Sequence, residues 1–145
     1  MLVVLEGCDG VGKSTIARSL SKVLDARIVH CTTKTPNDYK FFQGIIDASR
    51  VQNIIADRFC YGQFVYQSPN ERKLSWEELT QLELEMISAG AKVIHVTAPV
   101  EEVKKRLMLR GEVTTLPLEE IMDGFSDLFE ISLEKPYVWW TGGND

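Results

Sequence analysis

The chain has 145 residues, a formal net charge of −5 and a pI near 5.1, with 44% hydrophobic and 26% charged residues. That length fits a single domain over 1–145, able to bury a core without disulfides or structural metal, and the composition excludes a disordered or fibrous chain. The acidic balance argues against nucleic acid or an anionic membrane as partner, so a phosphate ligand must be attracted locally.

Leu2 to Leu5, rich in branched apolar residues, reads as a strand. It has no basic flank, and no stretch approaches transmembrane length, which leads us to expect a cytoplasmic protein. The strand enters the run Gly7-Cys8-Asp9-Gly10-Val11-Gly12-Lys13-Ser14, after which Ile16, Ala17, Leu20, Val23 and Leu24 recur at helical spacing. Ala26 to Cys31 predicts a second buried strand. Asn37 to Ser49 predicts a helix with Phe41, Phe42, Ile45 and Ile46 inward. Val51 to Ala56 is a third strand, Cys60 to Gln67 a short helix, and Ser68-Pro69-Asn70 a breaker.

Ser75-Trp76-Glu77-Glu78 is a capping box opening a helix to Ala89, with Trp76, Leu79, Leu82, Met86 and Ile87 inward and Gly90 as its stop. Lys92 to Thr97 is a fourth strand, and Pro99 introduces a helix over Val100 to Leu109. Leu118 to Ser132 carries Ile121, Phe125, Leu128 and Phe129 at helical spacing, and Tyr137-Val138-Trp139-Trp140 is a fifth strand whose tryptophans read as core. Strands alternating with helices predict an α/β fold with a five-stranded parallel sheet covered on both sides, three layers deep, with ligands beyond the strands' carboxyl ends. Cys8, Cys31 and Cys60 form no C-x-x-C pair and suit reduced thiols, while His30 and His95, inside apolar runs, read as core or strand-end residues rather than metal ligands.

The pattern G-x-x-x-x-G-K-S would arise by chance in about one chain in two hundred of this length. Here it also lies between a strand and a helix, the context a phosphate-binding P-loop requires. Its glycines allow successive N–H groups to face an anion, the helix adds its positive end, Lys13 can reach the β- and γ-phosphates, and Ser14 offers a hydroxyl to Mg2+. Thr15 is placed for helix surface or an α-phosphate contact. No N-K-x-D guanine-reading motif accompanies the loop.

Gly7 to Thr15 resembles the G-x-D-G-x-G-K-S-T loop of thymidylate kinases, and Asp57-Arg58-Phe59-Cys60-Tyr61-Gly62-Gln63-Phe64-Val65-Tyr66-Gln67 is similar to that family's D-R-Y-x-x-S-x-x-A-Y-Q segment. Arg106-Leu107-Met108-Leu109-Arg110-Gly111 resembles its R-x-x-x-R-G entry to a lid, expected here as a short segment about 110–118. The resemblance implies a P-loop NTPase fold that transfers the γ-phosphoryl group of ATP, with Mg2+, to a pyrimidine deoxynucleoside monophosphate, in a family that is commonly dimeric. By the same resemblance Arg58 grips the acceptor phosphate, Asp57 joins Ser14 in serving the metal, and Asp9 lies near the acceptor sugar. Gln63 then faces the base and Tyr66 the deoxyribose. Arg106 and Arg110, at i,i+4, share a helix face toward the lid, where a guanidinium can neutralise transferring phosphate or stack on adenine.

Where that family reads T-R-E-P-G, this chain has Thr33-Lys34-Thr35-Pro36-Asn37. Related deoxynucleoside kinases use a carboxylate at that place to deprotonate a sugar hydroxyl, and a monophosphate acceptor needs none. Thr35 therefore favours a monophosphate kinase, with Asp38 keeping the deoxynucleoside kinase as an alternative and a nucleotide-binding regulatory module as a non-transferase one. The segment from Pro36 to Asp57 is short, leaving Tyr39, Phe42 and Arg50 as candidates for base contacts, and no arginine follows Arg110. This compact form resembles thymidylate-kinase-like proteins of bacteriophages, some of which act on 5-hydroxymethyl-deoxyuridylate.

Overall fold

The computed structural model describes residues 1–112 and 117–142; residues 113–116 of the expected lid lie outside this set. The strands are β1 (Leu2–Glu6), β2 (Arg27–His30), β3 (Ile54–Asp57), β4 (Lys92–Thr97) and β5 (Tyr137–Trp140). Between them run α1 (Lys13–Leu24), α2 (Tyr39–Ala48), α3 (Gln63–Tyr66), α4 (Trp76–Ser88), α5 (Val100–Leu109) and α6 (Leu118–Ile131), with a 3₁₀ turn at Cys60–Gly62 before α3. The strands form one parallel sheet in the order β2-β3-β1-β4-β5. This is the three-layer α/β P-loop kinase fold.

Parallel neighbours must be joined by crossovers, so helices cover the faces of the central strands, and β1 and β3 are buried at every position. Register places Leu5 beside Asp57 and Glu6 beside His95. The carboxyl ends of β1, β3 and β4 thus open onto one rim, where the glycine loop and Asp57-Arg58 meet. No helix of the described residues is long and apolar enough to cross a membrane.

Local signals placed several boundaries. The capping box forms as read: Ser75 Oγ accepts from the Glu78 N–H at 3.1 Å, and Glu78 Oε1 accepts from the Ser75 N–H at 2.9 Å. Asp38 caps α2 by accepting from the Phe41 N–H at 2.9 Å. Other expectations require correction. The second strand is an edge, with Arg27 and His30 exposed, because only β3 flanks it. β5 is the opposite edge, and Trp139 and Trp140, expected in the core, are 42% and 59% exposed. Val23 on α1, and Trp76 and Ile87 on α4, also face outward.

On α4 the sequence pattern misses Glu83, which is buried. Its carboxylate accepts from the Tyr61 hydroxyl at 2.9 Å and from the Leu133 and Glu134 N–H groups at 3.2 and 3.0 Å. It ties the segment after β3 to the chain leaving α6, and so holds the turn that carries the site residues. Replacing it strands two backbone donors and a hydroxyl away from water. Glu83→Ala is expected to lower unfolding free energy by about 3 kcal/mol, whereas Gln81→Ala, exposed on the same helix, should stay within about 0.5 kcal/mol; urea unfolding of the two variants against wild type measures both.

Candidate active site

The loop after β1 is made by glycine. Gly7, Gly10 and Gly12 take φ of 154°, 86° and 99°, values an L side chain resists. At Gly7 a Cβ would land on the Val96 carbonyl of β4, so this position must be bare for β1 and β4 to pair. Lys13, the first residue of α1, is buried and folds its ammonium back over the loop, donating to the Gly7 and Cys8 carbonyls at 2.7 and 2.8 Å. Burial lowers the Lys13 pKa, and the Asp57 and Glu6 carboxylates push it back up. An anion entering the loop gives this ammonium better partners than two carbonyls.

Beside it, Ser14 Oγ donates to Asp57 Oδ2 at 3.1 Å, and His30 Nδ1 lies 3.3 Å from the same oxygen. The hydroxyl and carboxylate form an oxygen pair at the mouth of a phosphate loop, a donor set that suits Mg2+, which binds through one or two protein oxygens together with phosphates and water. Arg58 follows on a backbone at φ 70°, in the left-handed region that costs a side-chain-bearing residue on the order of 1–2 kcal/mol. Its N–H donates to the Leu5 carbonyl at 2.9 Å, which locks the turn. That turn throws the guanidinium over the Tyr66 ring, 5.3 Å from its centroid, and onto Asp9, with which it is ion-paired.

Glu6, the last residue of β1, has no exposed surface. One carboxyl oxygen accepts from the Gly62 N–H at 3.1 Å, and the other has no partner. Burial pushes its pKa up to about 7, against the opposing pull of Lys13, then Arg58, then the Gly62 and Phe59 N–H groups. A carboxyl this close to both cations sets the potential in which each works.

A pocket of about 440 Å³ opens between the loop and the segment after β3, lined by Asp9, Arg58, Gln63 and Tyr66 together with Cys8, Asn37, Phe59 and Gln67. Four of the six expected acceptor residues therefore converge. Tyr39 and Phe42 do not line it: the Tyr39 hydroxyl donates to Glu85 at 2.8 Å, and Phe42 is core, packed edge-on against Phe59 at 4.8 Å. Gln63 reaches the pocket wall with its amide committed, donating to the Asn37 carbonyl at 2.6 Å and accepting from the Lys73 N–H at 3.0 Å. Asp38 is spent on capping α2, and Thr35 closes a turn by donating to the Thr32 carbonyl at 2.7 Å.

On the other side of the loop, Gly10, Gly12 and Thr15 border a cleft with Arg106, Leu109, Arg110 and Thr141. Arg106 is a structural clamp, bonding Gly10 O at 3.1 Å, Thr141 Oγ1 at 3.0 Å and Glu102 Oε1 at 3.2 Å. Arg110 is exposed and bonded to Glu112 at 3.3 Å, so it is the freer of the pair. Val11 is buried and supports the loop from within.

Sequence reasoning passed over Glu6, Gln67 and Thr141. Glu6 left a signal, an acid closing an otherwise apolar strand. Gln67 stood in the matching segment without an assigned role. Thr141 left none, since its place depends on β5 lying beside β4, where its N–H donates to Thr97 O at 2.9 Å and its hydroxyl to Val11 O at 2.5 Å.

No family model matches this chain. The SPbeta prophage-derived uncharacterized protein YorR of Bacillus subtilis (strain 168) is 30% identical over 151 residues, covering 97% of this chain and 89% of that protein. The crystal structure of the Bacillus subtilis YorR protein in complex with phosphorylated GDP superposes with a TM-score of 0.83 at 27% identity, over 96% of this chain and 85% of that one. Deoxyadenosine kinase from M. mycoides, with products dCMP and a flexible dCDP bound, gives a TM-score of 0.55 at 16% identity over 98% and 90% of the chains. Thymidylate kinase from Ehrlichia chaffeensis gives 0.52 at 15% over 99% and 88%.

The Glu6 carboxyl makes stability depend on pH in a stated direction. Its folded pKa of about 7 lies above the ordinary 4.5, so the unfolded chain ionises first as pH rises. The contribution is whole below about pH 4.5 and is lost as pH climbs to about 7, a change on the order of 3 kcal/mol. Glu6→Gln keeps the hydrogen bond to Gly62 and removes the titration. Urea unfolding of both proteins at pH 5 and pH 8 should show the variant gaining on wild type as pH rises, by a large part of that amount.

Proposed function

The chain belongs to the family of the Bacillus subtilis prophage protein YorR, and on that premise we propose that it is a phosphotransferase moving the γ-phosphoryl group of ATP to a pyrimidine deoxynucleoside monophosphate. Thymidylate is the leading acceptor and 5-hydroxymethyl-deoxyuridylate a related one. The observation that carries this is Arg58, aimed by a left-handed backbone and by Asp9 into the pocket that faces the loop of Lys13. A second fixed cation across the site is what a second anionic substrate requires. The phosphorylated GDP held by YorR supports a nucleotide ligand for the family and makes GTP a donor worth comparing with ATP. The kinase neighbours supply the fold's precedent.

In this reading the loop N–H groups and the start of α1 hold the donor phosphates, and the Lys13 ammonium leaves the Gly7 and Cys8 carbonyls for the β- and γ-phosphate oxygens. Arg58 holds the acceptor phosphate so that one of its oxygens lies in line with the γ-phosphorus. A bond forms from that oxygen to phosphorus as the bond to the β-bridging oxygen breaks, and the nucleoside diphosphate departs with the electron pair. The acceptor is already an anion, so no base is needed. Ser14 and Asp57 would hold Mg2+, whose charge offsets that of the phosphates. Arg110, on the lid segment of 110–118, closes over the transferred group, while Arg106 anchors the loop and borders the donor's purine. Tyr66 lies along the sugar, and the whole chain acts as one domain.

A deoxynucleoside kinase is the second reading, and the use of Asp38 for capping weighs against it, since Asp9 would then have to serve as base while paired with Arg58.

Lys13→Ala should lower kcat by at least about 100-fold with any acceptor, the scale expected when one transition-state charge contact is removed. Arg58→Ala should chiefly raise KM for the monophosphate, on the order of 10- to 100-fold, and leave donor KM nearly unchanged. A panel of nucleosides, monophosphates and short DNAs with magnesium-ATP or magnesium-GTP, read by diphosphate release and product mass, checks both. Product from nucleosides alone would replace this reading with the second, and hydrolysis indifferent to acceptor would favour a nucleotide-binding regulatory module.

A further inference from the structure

Three donor atoms from three elements meet at the carboxyl ends of the strands. Asp57 closes β3 with its side chain buried, Ser14 Oγ in the first turn of α1 lies 3.1 Å from Asp57 Oδ2, and His30 Nδ1 at the end of β2 lies 3.3 Å from the same oxygen. The parallel register that sets His30 beside Asp57 puts the imidazole there. In the linear chain His30 reads as a strand-end residue, and the reaction above uses only the oxygen pair. The imidazole is 60% exposed, so packing does not hold it in place. What it meets is the one carboxylate oxygen that Ser14 also touches.

The spacing of these donors is that of a coordination shell. Neighbouring ligand atoms around an octahedral ion with bonds of about 2.1 Å stand about 3 Å apart, and both separations from Asp57 Oδ2 are close to that value. Among the described residues no group of three or more His, Cys, Asp and Glu side chains is placed to hold a metal by itself. An ion held by Asp57 and His30 therefore needs the Ser14 hydroxyl and phosphate oxygens from the loop to complete its shell, which ties its binding to that of a polyphosphate.

We propose that His30 is a nitrogen ligand of the nucleotide-bound metal and makes this site favour a divalent first-row transition ion over Mg2+. This rests on the reading of Ser14 and Asp57 as the metal-binding pair. The neutral ring ligates through the Nδ1 lone pair and carries its single proton on Nε2. Imidazole suits transition ions, whereas Mg2+ keeps to oxygen ligands and water, so the added nitrogen discriminates between them. A His30 that merely hydrogen-bonds Asp57 gives no such discrimination, and a glutamine amide serves equally well in that role.

The test uses the full chain as wild type, His30→Phe and His30→Gln, with inorganic triphosphate as the polyphosphate because it carries no nitrogen of its own. Pulsed electron paramagnetic resonance of the Mn2+–triphosphate complex reads whether an imidazole nitrogen is coupled to the metal. The chain has only two histidines, and His95 is buried against Phe125 and Phe129, so the coupling can come only from His30. Wild type is expected to show it and both variants to lack it. In calorimetry the Co2+–triphosphate complex should bind wild type about 10- to 100-fold more tightly than the Mg2+ complex, a preference that both variants lose mainly through weaker Co2+ binding. His30 is exposed at a sheet edge, and should His30→Phe melt early, His30→Gln carries the comparison. Wild type that binds the Mn2+ complex with no imidazole coupling, or variants that keep the wild-type preference for Co2+, overturn the assignment and leave the phosphate loop and its oxygen pair standing. Wild type that binds triphosphate equally well with and without any of the three metals overturns the metal-binding reading of Ser14 and Asp57, and the assignment with it.

Discussion

Lys13 and Arg58 stand near the end of β1 with the buried carboxyl of Glu6 between them in charge, and in a protein of net charge −5 any anion bound here would depend on such local balances. Like charges gathered in a pocket repel one another when it is empty. Here each cation has its own counterweight: the Gly7 and Cys8 carbonyls for Lys13, Asp9 for Arg58, and Glu6 for both. A phosphate-bearing ligand can displace these contacts because it offers charge where they offer dipoles or a half-exposed carboxylate. The bare backbone at Gly7, forced by the Val96 carbonyl, brings the loop close enough to β4 for this to happen on one rim.

Around that rim the fold supplies a layer of polar supports. Glu83 pins Tyr61 and the chain after α6, Gln63 pins Asn37 to Lys73, and Arg106 pins Gly10 to Thr141. Each is a polar side chain that holds backbone, so Gln63 and Arg106, read in the linear chain as ligand contacts, also brace the walls they line. The residues left with unspent polar atoms are then the informative ones, Tyr66 and Gln67 in the pocket and Glu6 behind it.

Much was legible in the linear chain. The glycine loop, the capping box at Ser75, β4 over Lys92–Thr97 and α5 over Val100–Leu109 are local events: apolar spacing, a short-range cap or a glycine needed for its φ, and each can be read within a dozen residues. The parallel five-stranded sheet followed from the alternation of strand and helix patterns. Asp9, Arg58, Gln63 and Tyr66 also came together in one pocket, as the resemblance of two motifs implied.

Strand order could not be read that way, because it is a matter of which strands pair across tens of residues. With β2 and β5 at the edges, Arg27 and His30 face solvent, and Trp139 and Trp140 are exposed where an apolar run suggested core. The same pairing decided that Thr141 reaches the loop and that Glu6, beside His95, is wholly enclosed. Residue types and local spacing determined that this chain carries a phosphate loop and a facing arginine. Tertiary contacts decided which polar side chains were already satisfied and which were not.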